Sequence, residues 1–165
     1  MSEKKSTQKK TVVTFNPLKV SISHEDEIIS LGSCFSSEIG NLMKLDGYKI
    51  ENNPFGVLFN PASIANSIAR LQSKTPFVTG DVVPRNTNPV YNPEKYIDEG
   101  YTSFFHHGSF KRESPEEFLK NANTSLCRAS ENFEKAKWVI ITFGTSWVYR
   151  HIEKDIIVSN WCLSG

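Results

Sequence analysis

The sequence predicts an α/β fold, in which helices flank a parallel β-sheet, and three observations support this prediction. Strand-like runs at residues 28–31, 48–51 and 138–143 alternate with helix-like segments. The run at 138–143, WVIITF, is an unbroken run of apolar and β-branched residues, as expected of a central parallel strand buried on both faces. The predicted helix before this run extends over about six turns, which is enough to cross a sheet and return the chain parallel.

Composition and charge limit the classes of function. The chain has 165 residues, of which 38% are hydrophobic and 22% are charged, as in a globular protein with one domain and a real core. Its formal net charge of +1 gives no electrostatic basis for binding nucleic acid or an anionic membrane. No apolar run approaches the roughly 20 residues of a membrane helix, and the N-terminus lacks the apolar core of a signal peptide. We therefore expect a cytoplasmic protein with neither nucleic acid nor membrane as a partner.

The cysteines do not indicate a metal site. Cys34, Cys127 and Cys162 are widely spaced, and the sequence contains no CxxC or Cys/His cluster. We expect three reduced thiols, no metal and no cofactor.

Residues 1–24 are predicted to form a disordered or extended N-terminal arm. Residues 1–10 contain four lysines and no large apolar residue after Met1, so they cannot contribute to a core. Residues 25–165 are then expected to form a single domain.

The stretch at residues 28–40, IISLGSCFSSEIG, predicts a strand, a glycine turn and a helix start. Gly32 permits the tight turn, and either Ser33 or Ser36 can cap a helix predicted over residues 36–45. The turn holds a hydroxyl and a thiol side by side, on Ser33 and Cys34. Backbone N–H groups at a helix start favour anions, so they can stabilise a thiolate or an oxyanion. An ordinary helix entry with a small buried cysteine also explains this stretch.

The apolar face of the helix is predicted from residues at helical spacing: Ile39, Leu42 and Met43.

The second strand, at residues 48–51, leads into the loop Asn52-Asn53-Pro54-Phe55-Gly56. Loops at the carboxyl ends of parallel strands are where α/β sheets bind ligands, although a plain turn explains this loop equally. Asn60 is the predicted N-cap of the second helix, with Pro61 at its first position. Its apolar face is expected to pack on the sheet and contains Ile64, Ile68 and Leu71.

Residues 73–100 are rich in proline and too long for a plain connector, so they form either a functional lid or a surface insertion. The following segment, YTSFFHHGSF, places adjacent histidines beside aromatic residues. Consecutive strand residues point to opposite faces, so only one of His106 and His107 can face a given site, and metal binding by the pair is poorly supported. A pocket-lining role and an exposed loop both remain open.

Ser114, Pro115 and Glu117 form a strong helix start. This long helix is predicted to have one apolar stripe along its length, made of residues at helical spacing: Phe118, Ala122, Leu126, Ala129, Phe133 and Ala136. The strand at 138–143 then ends in Gly144-Thr145-Ser146, again at a ligand-binding edge, and residues 156–159 form a last short strand.

The segment LGSCFSSEIG resembles the signature of the GSCFA family, with Ser36 where the family name carries Ala. NPFGVLFNP and FGTSWVYR are similar to further segments of that family. The family resembles the SGNH (GDSL-type) hydrolases. The resemblance implies a three-layer, flavodoxin-like parallel sheet flanked by helices, with residues 25–165 as the N-terminal part of a single such domain.

The resemblance also implies roles for individual residues. When G-S-C is aligned with the G-D-S of SGNH enzymes, Cys34 occupies the nucleophile position. An alignment shifted by one residue would place Ser33 there. The backbone N–H of Gly56 matches an oxyanion donor. Where SGNH enzymes carry G-x-N-D this chain has Gly144 and Ser146, so a hydroxyl of Thr145 or Ser146 would replace the asparagine. The remaining oxyanion or substrate-binding candidates are Gly32, Asn53, His106 and His107.

The late D-x-x-H block that supplies the base in SGNH enzymes does not occur in this sequence. We therefore expect a sheet that is incomplete at the C-terminus and a chain truncated before its base. The strand at 138–143 or a neighbour would form an exposed apolar edge, available for self-association. The resemblance implies a hydrolase or acyl-transfer enzyme acting on a small-molecule or carbohydrate ester. The alternative is an inactive remnant or a small-ligand-binding α/β protein.

Overall fold

Three parallel strands form the main sheet of the protein, which we describe from a computed structural model over residues 14, 19–84 and 100–159. The elements are, in chain order, β1 (Glu27–Gly32), α1 (Cys34–Leu45), β2 (Lys49–Asn52), α2 (Pro61–Ser73), β3 (Val82–Pro84), β4 (Tyr101–Ser103), α3 (Pro115–Lys135), β5 (Trp138–Thr142), β6 (Tyr149–His151) and β7 (Ile156–Val158).

The main sheet has the order β2-β1-β5, and both strand pairs are parallel. Ile28 of β1 is aligned with Ile50 on one side and with Trp138 on the other. Helix α1 connects β1 to β2 and packs on the sheet face that carries Ser30, while α3 packs on the face that carries Ile29. The prediction of a mixed α/β fold with a parallel sheet is therefore confirmed.

The core lies between α2, α3 and one face of the main sheet, because these elements supply most of its buried apolar side chains. Two antiparallel pairs, β3-β4 and β6-β7, lie outside the main sheet. The core cluster consists of Ile29, Leu31, Phe55, Leu58, Ile64, Leu71, Phe77, Phe118, Ala122, Leu126 and Ala129.

Helices α2 and α3 begin as the sequence predicts. The Asn60 side chain accepts a hydrogen bond from the Ser63 N–H at 2.8 Å, and that of Ser114 accepts one from the Glu117 N–H at 3.2 Å. The predicted stripe of α3 is buried from Phe118 to Ala129. The packing predicted for α2 is different, since its main neighbours are α3 and β7 rather than the three-stranded sheet.

The predicted apolar face of α1 is wrong. The helix begins at Cys34, two residues before the predicted start, and Ser33 occupies the N-cap position, although its side chain makes no capping hydrogen bond to the helix. Its buried residues are Ser36 and Gly40, while Leu42 is 56% exposed. A Cβ atom on Gly40 would overlap the side chain of Asn52, so the helix approaches β2 through its smallest residues.

The prediction that residues 138–143 form a central strand buried on both faces is also wrong. Strand β5 is at the edge of the described sheet, and Val139 and Ile141 are 45% and 41% exposed. No strand within residues 19–84 and 100–159 pairs with its outer edge. An apolar run predicts a buried strand from composition alone, whereas burial depends on which neighbours cover it.

The proline-rich segment at residues 73–100 is described only in part, because residues 85–99 lie outside the described ranges. Cys162 and most of the predicted N-terminal arm also lie outside them. Before that gap a short 3₁₀ helix at Thr79–Asp81 leads into β3, which pairs with β4. Both adjacent histidines follow β4 rather than belonging to it. Where the chain is described, no helix has the length and apolar character needed to cross a membrane.

Candidate functional site

Three loops meet at the carboxyl edge of the main sheet, where parallel α/β sheets bind ligands. They are the turn at residues 32–34 after β1, the loop at 53–59 after β2 and the loop at 143–146 after β5. The Leu58 N–H donates to the Gly32 carbonyl at 2.8 Å, and the Gly144 N–H donates to the Phe59 carbonyl at 2.8 Å. The fold thus brings together the turn that carries Cys34 and the two loops selected from the sequence.

The turn after β1 lies tightly against the end of β5. Gly32 has φ +148°, and a Cβ atom on it would overlap the carbonyl of Thr142. The Ser33 N–H donates to both the carbonyl oxygen and Oγ1 of Thr142, at 3.2 and 3.1 Å. The Ser33 Oγ also lies 3.1 Å from Thr142 Oγ1, and Ser33 is only 5% exposed. The hydroxyl of Ser33 is therefore buried and hydrogen-bonded.

Cys34 is in the opposite environment to Ser33. It is the first residue of α1, it is exposed, and its thiol makes no hydrogen bond with a described residue. The N–H groups of Cys34 and Phe35, in the first turn of α1, also have no acceptor among the described residues. This is the usual state of a helix N-terminus without a side-chain cap, and it leaves these N–H groups available to an anion.

Asn53 connects the loop after β2 to the turn after β1. Its Oδ1 accepts a hydrogen bond from the Gly32 N–H at 2.8 Å, and its Nδ2 donates to Ser37 Oγ at 2.8 Å. The backbone of Asn53 is left-handed, with φ +46°, a conformation that asparagine tolerates better than most residues. Its amide is thus engaged in holding the turn and the start of α1 together.

Gly56 does not present a free N–H group to the site. Its N–H donates to the Asn53 carbonyl at 2.8 Å, and its φ is +80°. A Cβ atom on Gly56 would overlap the Cβ of His107, so this glycine also allows the His107 segment to approach.

The loop after β5 is also hydrogen-bonded internally. The N–H groups of Gly144 and Thr145 both donate to the Phe59 carbonyl, at 2.8 and 3.1 Å. The Thr145 Oγ1 accepts a hydrogen bond from the Trp147 N–H at 3.1 Å, and Ser146 is exposed. Gly144 lies close to Ser33, since a Cβ atom on it would be 3.2 Å from the Ser33 Cβ. The N–H groups of Gly144 and Thr145 are therefore engaged, whereas the hydroxyls of Thr145 and Ser146 can still donate to a ligand.

His106 belongs to the aromatic core. It is fully buried, its Nδ1 lies 2.7 Å from the hydroxyl oxygen of Ser103, and burial lowers its pKa to about 3. The imidazole is therefore neutral near pH 7. Four phenyl rings surround it at centroid distances of 4.6–5.4 Å, those of Phe55, Phe77, Phe110 and Phe118.

His107 is half-buried and packs beside Gly56, at the border of the site. Its Nδ1 accepts a hydrogen bond from the Ser109 N–H at 3.2 Å, which assigns the proton of the neutral ring to Nε2. The two adjacent histidines thus differ in burial, although neither belongs to a strand, so the alternation of side chains along a strand is not the reason. No group of three or more possible metal ligands occurs within the described part of the chain.

Thr142 is a residue of this site that the sequence analysis did not select. One signal in the sequence could have identified it. Thr142 is the one polar side chain near the end of an otherwise apolar run, and the carboxyl ends of parallel strands lie at the edge of the sheet where ligands bind. The Phe59 carbonyl was not accessible to sequence reasoning, because a backbone oxygen has no residue-type signal.

Comparison with known proteins identifies one family. The family model described as GSCFA family matches residues 27–163, which is most of the chain. No curated protein matches the sequence, and no solved structure matches the fold.

Proposed function

Because the chain belongs to the GSCFA family, we propose that its turn at residues 32–34 forms the nucleophile centre of an SGNH-like hydrolase or acyl-transfer enzyme, with Cys34 as the nucleophile. The observation that carries this proposal is the contrast between Cys34, exposed at a helix N-terminus, and the buried neighbour Ser33. The strand order β2-β1-β5 supports the flavodoxin-like part of the proposal, because such sheets begin with their strands in the order 2-1-3.

The choice of Cys34 over Ser33 follows from access. A nucleophile must reach the substrate carbonyl, but Ser33 as a whole is only 5% exposed, and its hydroxyl oxygen lies 3.1 Å from Thr142 Oγ1. The Cys34 thiol has neither restriction, and a thiolate is intrinsically the better nucleophile. Ser33 then has a structural role, which is to attach the turn to β5.

The proposed chemistry is acyl transfer through a thioester. The Cys34 thiolate adds to the ester carbonyl carbon, the C–O bond to the alcohol breaks, and the leaving alkoxide takes a proton from water. A second water hydrolyses the thioester, or an acceptor alcohol takes the acyl group. The N–H groups of Cys34 and Phe35 donate to the oxyanion, with a hydroxyl of Thr145 or Ser146 as a further donor.

The first experiment traps the acyl-enzyme with p-nitrophenyl acetate. We expect a burst of nitrophenolate and an acetyl group on the peptide that contains Cys34, by mass spectrometry. Cys34→Ala should abolish the burst and Ser33→Ala should retain it. Cys127→Ser is the matched control, because Cys127 is also exposed but lies within α3. An undiminished burst in Cys34→Ala would refute the assignment of Cys34.

A second candidate function is ligand binding without chemistry. It is favoured by two observations: no described residue hydrogen-bonds to the Cys34 thiol, and the N–H groups of Gly56, Gly144 and Thr145 already have acceptors. Iodoacetamide separates the two functions. An activated Cys34 should react about tenfold or more faster than Cys127, whereas equal rates would favour the binding function.

A further inference from the structure

A cavity of about 650 Å³ lies beside α2, apart from the turn that carries Cys34. It is bordered by the second half of α2, by the Phe77 and Phe105 rings, and by Ile156 and Ile157 of β7. Its volume is within the usual range of small-molecule sites, roughly 300–1,000 Å³. None of the residues selected from the sequence as catalytic lines it.

Arg70 is the charged residue that distinguishes this cavity. Its guanidinium carbon lies 4.4 Å from the centroid of the Phe77 ring and 5.5 Å from that of Phe105. Its Nη1 donates to the carbonyl oxygens of Thr75 and Pro76, at 3.1 and 3.4 Å. The guanidinium is therefore fixed in place through one nitrogen, before any ligand binds.

The other two nitrogens of Arg70 are available. Neither Nε nor Nη2 donates to a residue within the described ranges, and no carboxylate there forms an ion pair with Arg70. Asp155 also lines the cavity, but its carboxylate pairs with Arg150. The charge of Arg70 is thus not neutralised by the protein in the described part of the chain.

Nε and Nη2 of an arginine form the edge of the guanidinium that binds a carboxylate through two parallel hydrogen bonds. A cation would be repelled by this charge, and a neutral acceptor would form weaker hydrogen bonds with these donors than a carboxylate does. The phenyl rings and the two isoleucines provide an apolar surface next to them. The charge and the surface together select one class of ligand.

We propose that this cavity binds an apolar carboxylate of small-molecule size, with the carboxylate on Nε and Nη2 of Arg70 and the apolar part against Phe105, Ile156 and Ile157. The site is independent of the acyl-transfer chemistry proposed for Cys34. Loss of one function by substitution is therefore expected to leave the other intact.

The test uses three probes of the same shape: 2-naphthoate, the neutral 2-naphthalenemethanol and the cationic 2-naphthylmethylamine. Isothermal titration calorimetry on the full chain should give an affinity for the naphthoate at least about tenfold above that for the alcohol, with the amine weakest. Arg70→Gln should reduce naphthoate affinity about tenfold, to the level of the alcohol. Arg112→Gln is the matched control, because Arg112 also donates to backbone carbonyls but lies outside this cavity.

Three results would overturn the proposal: no saturable naphthoate binding to the unmodified protein, equal affinities for the naphthoate and the alcohol, or an undiminished affinity in Arg70→Gln. The comparison of probes needs no variant, so it remains decisive if Arg70→Gln fails to fold. Arg70→Lys adds a second variant that keeps the charge but loses the paired donors, and it should bind the naphthoate with intermediate affinity. A naphthoate-induced shift of the Arg70 Nε–H resonance, absent in Arg70→Lys, would locate the carboxylate.

Discussion

At the residue scale, the neighbours Ser33 and Cys34 show how one turn gives two side chains opposite environments. The helix begins between them, so Ser33 still has extended backbone while Cys34 is helical. Ser33 consequently points its hydroxyl to the end of β5, and Cys34 is exposed. A one-residue shift in where a helix begins therefore decides which of the two side chains is exposed.

Asn53 is predicted to stabilise this turn. In Asn53→Ala the buried N–H of Gly32 would lose its acceptor, which costs about 1–3 kcal/mol of unfolding free energy. Urea unfolding followed by circular dichroism measures this loss. Asn66→Ala is the control, since Asn66 is exposed on α2 and makes no side-chain hydrogen bond with a described residue. Equal stability of the two variants would contradict the role given to Asn53.

His106 is predicted to remain neutral in mildly acidic solution. Its folded-state pKa of about 3 lies below its ordinary value of 6.5, so between these values the unfolded chain takes up a proton that the folded protein does not. Because proton uptake favours the unfolded chain, the contribution of the neutral imidazole to the free energy of unfolding is complete above pH 6.5 and is lost as the pH falls towards 3. NMR of the imidazole at about pH 4.5 should show neutral His106 in the folded protein. A protonated His106 in folded protein at that pH would contradict its placement in the core.

At the element scale, Asp26 joins the starts of two strands. Its carboxylate accepts hydrogen bonds from Lys137 Nζ and Trp138 Nε1, both at 2.8 Å, and from the Ser23 N–H at 3.1 Å. These contacts align the beginning of β5 with that of β1, upstream of the turn at the other end of the sheet. An edge strand with one paired neighbour depends on such contacts more than a central strand does.

The contribution of Asp26 is predicted to depend on pH. Hydrogen bonds from Lys137, Trp138 and Ser23, in that order, lower its pKa from 3.8 to about 2. A lowered carboxyl pKa means that the stabilisation is complete above pH 3.8 and disappears as the pH falls through about 2. Asp26→Asn should be less stable than the parent near neutral pH, and the difference should shrink as the solution is acidified. A difference that is constant with pH would contradict the proposed charge interaction.

At the scale of the whole molecule, the described sheet leaves β5 with an unpaired edge and a partly uncovered face. The five residues of β5 include no charged residue and no proline. Natural proteins use charged residues and proline to protect an edge strand from pairing with other chains. The expected self-association through this edge remains a proposal, and this geometry supports it. Antiparallel pairing of two β5 strands centred on Ile140 would place the Val139 of one copy near the Ile141 of the other.

Ile141→Lys is predicted to weaken this self-association, because it places a charge on the uncovered face of the edge strand. Sedimentation velocity over a range of protein concentrations would show a smaller fraction of dimer than in the parent. Leu45→Lys is the control, since Leu45 is 84% exposed at the end of α1, away from the β5 edge. A parent protein that is monomeric at all concentrations would refute the proposal.

Local signals in the sequence determined much of this protein. The caps at Asn60 and Ser114, the spacing of the α3 stripe and the glycine turn after β1 each depend on residues close together in the chain. Such signals identify an element and its ends, because capping and periodicity are properties of a single segment. They also placed the loops after β1, β2 and β5 at the carboxyl edge of a parallel sheet.

Only the tertiary structure decided how those residues are used. Thr142, which binds Ser33, is 109 positions away in the sequence, and the Phe59 carbonyl accepts hydrogen bonds from the N–H groups of Gly144 and Thr145, in a loop far along the chain. The buried face of α1 follows from the side chain of Asn52, and the exposure of β5 follows from the neighbours it has. The physical reason is the same in each case: burial and hydrogen-bond occupancy arise from contacts between distant segments, and no local pattern of residue types contains them.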